Sequence, residues 1–170
     1  MKNTIKSIFT IIFIVNFTYS QSIVDKKRAI SIIEDLNYNE YYFDIKCYDK
    51  SEISYDPLTL KIEINNFTFL GEENNINAKT TFYLTDLDLS TFKVEYFEMD
   101  DGLLFCSIRV KALKGSISRH IVTVNKKKHK YPNSDIFYYD ELVFDTNRNL
   151  PKNQLDKLIA NFKILLGINK

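Results

Sequence analysis

The chain has 170 residues, of which 45% are hydrophobic and 26% charged, and its formal net charge is +1. This near-neutral balance argues against nucleic acid or an anionic membrane surface as the main partner. Four glycines and three prolines are too few for a collagen-like or low-complexity chain. The composition therefore indicates a globular protein.

The first 20 residues are predicted to be a secretory signal peptide. Lys2 and Lys6 form a short positive region before an apolar run over residues 8–15. This run is shorter than the roughly 20 apolar residues that cross a bilayer. An uncleaved anchor is the alternative. Cleavage after Ser20 would leave residues 21–170 as a single exported domain of net charge −1, periplasmic or secreted, with no further segment apolar enough to span a membrane.

Helical periodicity marks both ends of the remaining chain. Residues 24–36 are predicted to form a short N-terminal helix. Residues 149–167 predict a C-terminal amphipathic helix, because six apolar residues fall on one stripe. These are Leu155, Leu158, Ile159, Phe162, Leu165 and Leu166. Pro151 suits the first turn of this helix and Gly167 its left-handed end.

The chain between the helices alternates with the period of β-strands. Strands are predicted over residues 42–48, 58–64, 80–84, 92–97, 103–112, 117–124 and 136–144, with 67–70 continuing the second or starting another. Polar loops are predicted over 49–57 and 71–79, a short helical turn over 85–90, and a hairpin loop over 98–102. Strand 117–124 is predicted to pair with 103–112, and strand 136–144 to be central or covered.

These elements predict an α+β fold. We expect an antiparallel sheet or partly closed barrel of about seven strands, packed by the C-terminal amphipathic helix and a shorter N-terminal helix. The order of elements resembles that of the pleckstrin-homology-type barrel. The segment TTFYLTDLDLSTFKVEY, residues 80–96, is similar to one in uncharacterised small exported proteins of Bacteroidota, although Leu89 replaces their proline. That resemblance implies export and this fold, and it transfers no active residue.

Two cysteines, Cys47 and Cys106, fall on the predicted inward faces of their strands. In an oxidising compartment they could form a disulfide, and two buried free thiols are the alternative. No CxxC motif is present, so no zinc site is predicted.

Tyrosines at positions 38, 41, 42, 48, 138 and 139 predict an interaction surface. Tyrosine is favoured where one end of a side chain is buried and the other is hydrated, as at protein interfaces. Its β-propensity explains part of the enrichment. The predicted surface residues are Tyr41, Tyr42, Tyr48, Tyr138 and Tyr139.

Two groups of residues only partly match a catalytic or metal motif. Asp86, Asp88 and Ser90 begin like a calcium loop, but the later glycine and glutamate are missing, which favours turn capping. His120 has Ser118 beside it and Asp140 or Glu141 elsewhere, without the signature of a nucleophile elbow, which favours a histidine on the sheet surface.

Two further patterns receive structural interpretations. The basic cluster over residues 126–130 is interpreted as a soluble hairpin tip, although it could attract an anion. The sequon Asn66-Phe67-Thr68 matters only in a host that glycosylates.

The sequence thus predicts an exported, non-enzymatic binding or interaction domain without a cofactor. Its partner would be a protein or a small apolar ligand, and no nucleic acid. The alternative is a structural or assembly component of the cell envelope. A hydrolase with an unrecognised site around His120 is the third hypothesis.

Overall fold

The computed structural model describes residues 22–42, 46–70, 74–98, 104–125, 129–130, 136–146 and 150–168. Helix α1 covers residues 22–36 and helix α2 covers Lys152–Leu166. The strands are β1 (Asn39–Tyr42), β2 (Lys46–Asp56), β3 (Lys61–Leu70), β4 (Asn74–Tyr83), β5 (Lys93–Glu98), β6 (Leu104–Lys111), β7 (Ile117–Asn125), β8 (His129–Lys130), β9 (Ile136–Tyr139) and β10 (Glu141–Asp145). Two 3-10 turns, Leu84–Asp86 and Leu89–Thr91, confirm the predicted helical turn between β4 and β5.

The described strands form two antiparallel sheets. The large sheet has the order β1-β2-β3-β4-β7, and β7 then pairs with both β8 and β9. The small sheet has the order β10-β6-β5. Neither sheet closes into a barrel over the described strands. The predicted α+β class, with antiparallel strands and a helix near each end, is confirmed in its open-sheet form.

Helix α2 packs its apolar stripe into one core shared by both sheets and α1. All six predicted stripe residues are buried. The ring of Phe162 contacts the ring of Phe144 in β10, with centroids 4.3 Å apart. Gly167 ends the helix at φ +79°, the left-handed conformation that glycine adopts without strain. This burial supplies the stability that a 15-residue helix lacks alone in water.

Helix α1 is tied to α2 by a buried lysine. Lys26 is 7% exposed, and its Nζ donates hydrogen bonds to the carbonyl oxygens of Ile164 and Leu165. The same Nζ lies 5.3 Å from the centroid of the Tyr55 ring. The last carbonyls of a helix carry partial negative charge, so the ammonium group is placed where it stabilises α2. Burial nevertheless lowers the pKa of Lys26.

Replacing Lys26 with methionine is expected to lower the free energy of unfolding by about 1–2 kcal/mol near neutral pH, because two helix carbonyls lose their donor. Because the pKa of Lys26 is lowered in the folded protein, its contribution to stability depends on pH. Between the folded-state pKa and the ordinary value of 10.5, the unfolded chain binds more protons than the folded one. The stability of the unmodified protein relative to K26M should therefore rise with pH through that window, measured by urea unfolding of both proteins. A difference that shrinks as pH rises would contradict this assignment.

Two segments that were predicted as polar loops are strands. Most of residues 49–57 lie in β2, and residues 74–79 lie in β4. The prediction failed in β2 because polar side chains occupy the inward positions, which breaks the expected alternation. Asp49 and Ser51 are aligned there with Thr68 and Asn66 of β3.

The strand predicted over residues 58–64 begins later, at Lys61, because residues 57–60 form a turn. The Asp56 carboxylate accepts hydrogen bonds from the Leu58 N–H (3.0 Å) and the Thr59 hydroxyl (2.6 Å), which holds this turn. Leu58 is 88% exposed as a result, whereas Ile62 and Ile64 of β3 are buried.

The predicted strand 42–48 is a hairpin instead. Strand β1 ends at Tyr42, β2 begins at Lys46, and these two residues pair with each other. The prediction was wrong because alternation continues through the two arms without a visible turn signal. Phe43 and Ile45 lie outside the described residues.

The predicted strand 136–144 consists of two strands in different sheets. Strand β9 pairs with β7 and β10 pairs with β6, with Asp140 between them. The Asp140 carbonyl accepts from the Ala112 N–H (2.8 Å), and its carboxylate accepts from the Gly115 N–H (2.7 Å), which fixes this change of sheet. The predicted pairing of 117–124 with 103–112 is likewise wrong, since β7 pairs with β4 and β6 with β5 and β10.

Candidate functional site

Strand β9 exposes apolar side chains on both of its faces. The exposed fractions are 51% for Ile136, 43% for Phe137, 67% for Tyr138 and 41% for Tyr139. This contradicts the prediction that the segment is central or covered. Four consecutive exposed apolar residues on one strand are unusual for a surface that contacts only water. We call these four residues the β9 edge.

Strand β9 lies at an edge of the large sheet. It pairs with β7 on one side, over Ile117↔Tyr139 to His120↔Ile136. Within the described residues no strand pairs with its other side. Its outward backbone groups thus form the rim of the large sheet. Such a rim is a template on which another extended chain can pair.

The end of β9 is held firmly although its surface is open. Asp140 anchors it to residues 112 and 115 through the two hydrogen bonds described above. Gly115 adopts φ +67°, a backbone conformation that favours glycine at this turn. The hydrogen bonds of Asp140 therefore fix the end of β9.

The corresponding edge of the small sheet carries charges. On β5, Lys93 pairs with Glu95 at 2.8 Å, and Glu95 also pairs with Arg109 at 3.1 Å. Arg109 then reaches Glu141 of β10 at 3.0 Å. The Lys93 hydrogen bond is the main reason why the pKa of Glu95 is lowered. Charged side chains discourage pairing with a further strand, and the residues of β9 include none.

The predicted tyrosine surface is divided between two opposite edges of the large sheet. Tyr41 and Tyr42 belong to β1 and Tyr48 to the neighbouring β2, whereas Tyr138 and Tyr139 belong to β9. The side chains of the first three lie outside the described residues. Tyr138 and Tyr139 are exposed. Only this second pair can be placed on a described surface.

A polar cleft of about 280 Å³ lies between the large sheet and the end of β10. Its floor continues the inward face of the large sheet, where apolar residues give way to polar ones towards one end of the strands. The polar floor residues are Asp49, Ser51, Asn66, Thr68, Thr80 and Arg119. Sequence reasoning missed this site because its residues come from four strands. One signal in the sequence could have indicated the site: within a strand, polar residues occupy positions that continue the series of inward-facing apolar residues.

Hydrogen bonds organise part of this cleft. The Asn37 amide at the end of α1 donates to the Ser51 hydroxyl at 2.7 Å, and Ser51 donates to the Asn66 side-chain oxygen at 2.6 Å. The buried Oδ1 of Asp49, in contrast, has no hydrogen-bond partner. Asn66, the first residue of the sequon, is thus engaged inside the fold.

The space between the large sheet and α2 is filled by side chains. Phe82, Ile108, Leu158 and Phe162 are all 0% exposed there. The cleft described above is polar. The predicted small apolar ligand is not tested by either region and stays a prediction.

Cys106 is a buried thiol in β6. Burial raises the pKa of its thiol, which favours the protonated form. Its backbone exchanges hydrogen bonds of 2.9 Å with Thr146. The side chain of Cys47 lies outside the described residues, and a disulfide between the two stays a prediction.

The residues of the hydrolase hypothesis are not brought together. Among the described residues the buried Nε2 of His120 has no hydrogen-bond partner. Asp140 accepts from the Gly115 N–H and Glu141 pairs with Arg109. Ser118 lies next to Tyr138 in the sheet register. Neither acidic residue is thus placed as a partner of His120 by these contacts.

In the segment that begins like a calcium loop, Asp88 caps a turn. Asp88 Oδ1 accepts hydrogen bonds from the Ser90 N–H (3.1 Å) and the Ser90 hydroxyl (2.6 Å). The part of the chain that the structure describes contains no cluster of three metal-ligating side chains. In the basic cluster, residues 126–128 and the side chains of His129 and Lys130 lie outside that part.

Comparison with protein-family models, curated proteins and solved structures gave no significant match. Among the described helices, none has the length and apolarity needed to cross a bilayer.

Proposed function

We propose that this chain is an exported, non-enzymatic binding domain that takes up an extended segment of a partner polypeptide at the β9 edge. The observation that carries the proposal is the run of four exposed apolar residues, Ile136 to Tyr139, on an unpaired edge of the described sheet. An edge strand offers backbone hydrogen bonds, and its side chains on both faces offer apolar contact.

A polypeptide fits this surface better than a small molecule does. Strand addition uses a row of backbone N–H and C=O groups that only another extended backbone can match along its length. Exposed apolar side chains on both sides of the rim then contact alternate side chains of the added strand. The aromatic residues Phe137, Tyr138 and Tyr139 are of the type that contributes most to interface free energy.

Export is part of the proposal and is supported by the signal-peptide pattern over residues 1–20. The hypothesis of an envelope assembly component uses the same surface and differs in the identity of the partner. An assembly component would bind a segment of an envelope protein by the same strand addition.

Selection from a display library of random linear peptides tests the proposal. We expect the enriched peptides to alternate apolar and polar residues, to lack internal proline and to bind the folded protein in solution. Proline is excluded because it removes a backbone donor from the ladder. Enrichment of peptides that are rich in proline, or of none that bind in solution, would contradict strand addition.

A further inference from the structure

The polar cleft lies on the inward face of the large sheet, and its floor reaches Arg119 of β7, which pairs with Phe137 of β9. Along β3 the inward positions change from Ile62 and Ile64, which are buried in the core, to Asn66 and Thr68, which line the cleft. Thr80 and Arg119, paired in register on β4 and β7, extend the same floor. The fold thus leaves about 280 Å³ open where an apolar continuation would have closed the core.

The cleft floor combines satisfied and unsatisfied polar groups. The chain of hydrogen bonds from Asn37 through Ser51 to Asn66 fixes one side. Asp49 Oδ1 is buried and has no hydrogen-bond partner among the described residues. Asp49 also lines the cleft, where a carboxylate can accept hydrogen bonds. The hydroxyls of Thr68 and Thr80 can each donate and accept.

The charges around the cleft balance. Asp49 and Asp145 carry two negative charges, and Lys50 and Arg119 carry two positive ones. A lining without net charge selects neither anions nor cations by long-range attraction. Its groups instead suit a neutral molecule that offers several donors and acceptors together. The volume lies near the lower end of the roughly 300–1,000 Å³ range of small-molecule sites.

We propose that this cleft binds a neutral, polyhydroxylated ligand of the size of one or two sugar rings. Hydroxyl groups of the ligand donate to Asp49 and exchange hydrogen bonds with Thr68 and Thr80, while Arg119 donates from the exposed side. The site shares no floor residue with the β9 edge, so the proposal does not depend on the proposed function.

The test is an NMR titration of the full protein with glucose, N-acetylglucosamine, maltose and chitobiose. Sodium sulfate is titrated separately. We expect at least one sugar at millimolar concentration to shift the amides of residues 49–51, 66–68 and 80. The two monosaccharides and two disaccharides distinguish a one-ring site from a two-ring site. If no sugar shifts these amides, or if sulfate shifts them and the sugars do not, the proposal is overturned.

A matched pair of variants tests the contacts. T80V removes a hydroxyl from the cleft floor and keeps the shape of the side chain, and T81V makes the same change on the opposite face of β4. We expect T80V and D49N to weaken binding of the responding sugar about threefold and about tenfold. T81V should bind like the unmodified protein. Equal affinity of T80V and T81V, both folded, would overturn the proposed contacts even if D49N failed to fold.

Discussion

Replacing Phe162 with alanine is expected to lower the free energy of unfolding by about 3–5 kcal/mol. Phe162 is 0% exposed and its ring contacts Phe144, so it joins α2 directly to β10 of the small sheet. Truncation removes buried apolar surface and leaves a cavity between rigid elements, which cannot collapse fully. Urea unfolding monitored by circular dichroism measures the loss.

The control is I164A on the same helix. Ile164 is 44% exposed and alanine is a good helix former. Truncation of this side chain should therefore lower the free energy of unfolding by less than about 1 kcal/mol. Similar losses in F162A and I164A would show that α2 does not pack as described. The difference between the two variants therefore measures the docking of α2 itself.

Replacing both Ile136 and Tyr138 with lysine is expected to weaken binding of a selected peptide at least about 30-fold. These two residues share one face of β9, opposite His120 and Ser118 in the register, and are 51% and 67% exposed. Two ammonium groups on that face would have to be desolvated by an added strand. Natural edge strands use lysine to prevent such pairing. Isothermal titration or fluorescence anisotropy with the selected peptide gives the affinities.

The matched control is Y96K, which places lysine at a tyrosine of similar exposure, 57%, on the edge strand β5. We expect Y96K to bind the peptide with unchanged affinity. Urea unfolding should give similar stabilities for all three proteins, because surface substitutions rarely change stability by more than about 0.5 kcal/mol. If Y96K weakens binding as much as the double variant, the β9 edge is not the binding surface.

Elements whose apolar residues recur on one face were predictable from the sequence. Helix α2 places every apolar stripe residue in the core, because a helix on the surface of a domain has one buried face and one solvated face. Strand β6 behaves in the same way, with Cys106, Ile108 and Val110 buried. In β6 the burial is not strictly one-sided, because Ser107 on the opposite face is also buried and donates a hydrogen bond to the Asp145 carboxylate.

The connections between sheets were not predictable in this way. Residues 136–144 are apolar except for Asp140 and Glu141, and this pair alone does not indicate that the chain leaves the large sheet there and enters the small one. The two hydrogen bonds that hold Asp140 come from residues 112 and 115, which are distant in the sequence. The pairing of β7 with β4 was not predictable for the same reason, because it joins residues that are distant in the sequence.

The candidate surfaces were predictable only in part. The tyrosine pattern predicts Tyr138 and Tyr139 as interaction residues. It does not predict that they lie on an edge strand. The cleft brings together two register pairs, Asp49 with Thr68 and Thr80 with Arg119, which lie at different positions along the strands. Periodicity within one strand cannot show which polar residues become neighbours across a sheet.

Amide hydrogen exchange of β9 in the presence of a selected peptide tests the central claim most directly. Strand addition would place the outward N–H groups of residues 136–139 in new hydrogen bonds, at alternate positions as in any ladder. We expect those amides to exchange at least about tenfold more slowly when the peptide is saturating, with amides of β5 unchanged. Exchange at residues 136–139 that stays the same while the peptide is bound would contradict the account.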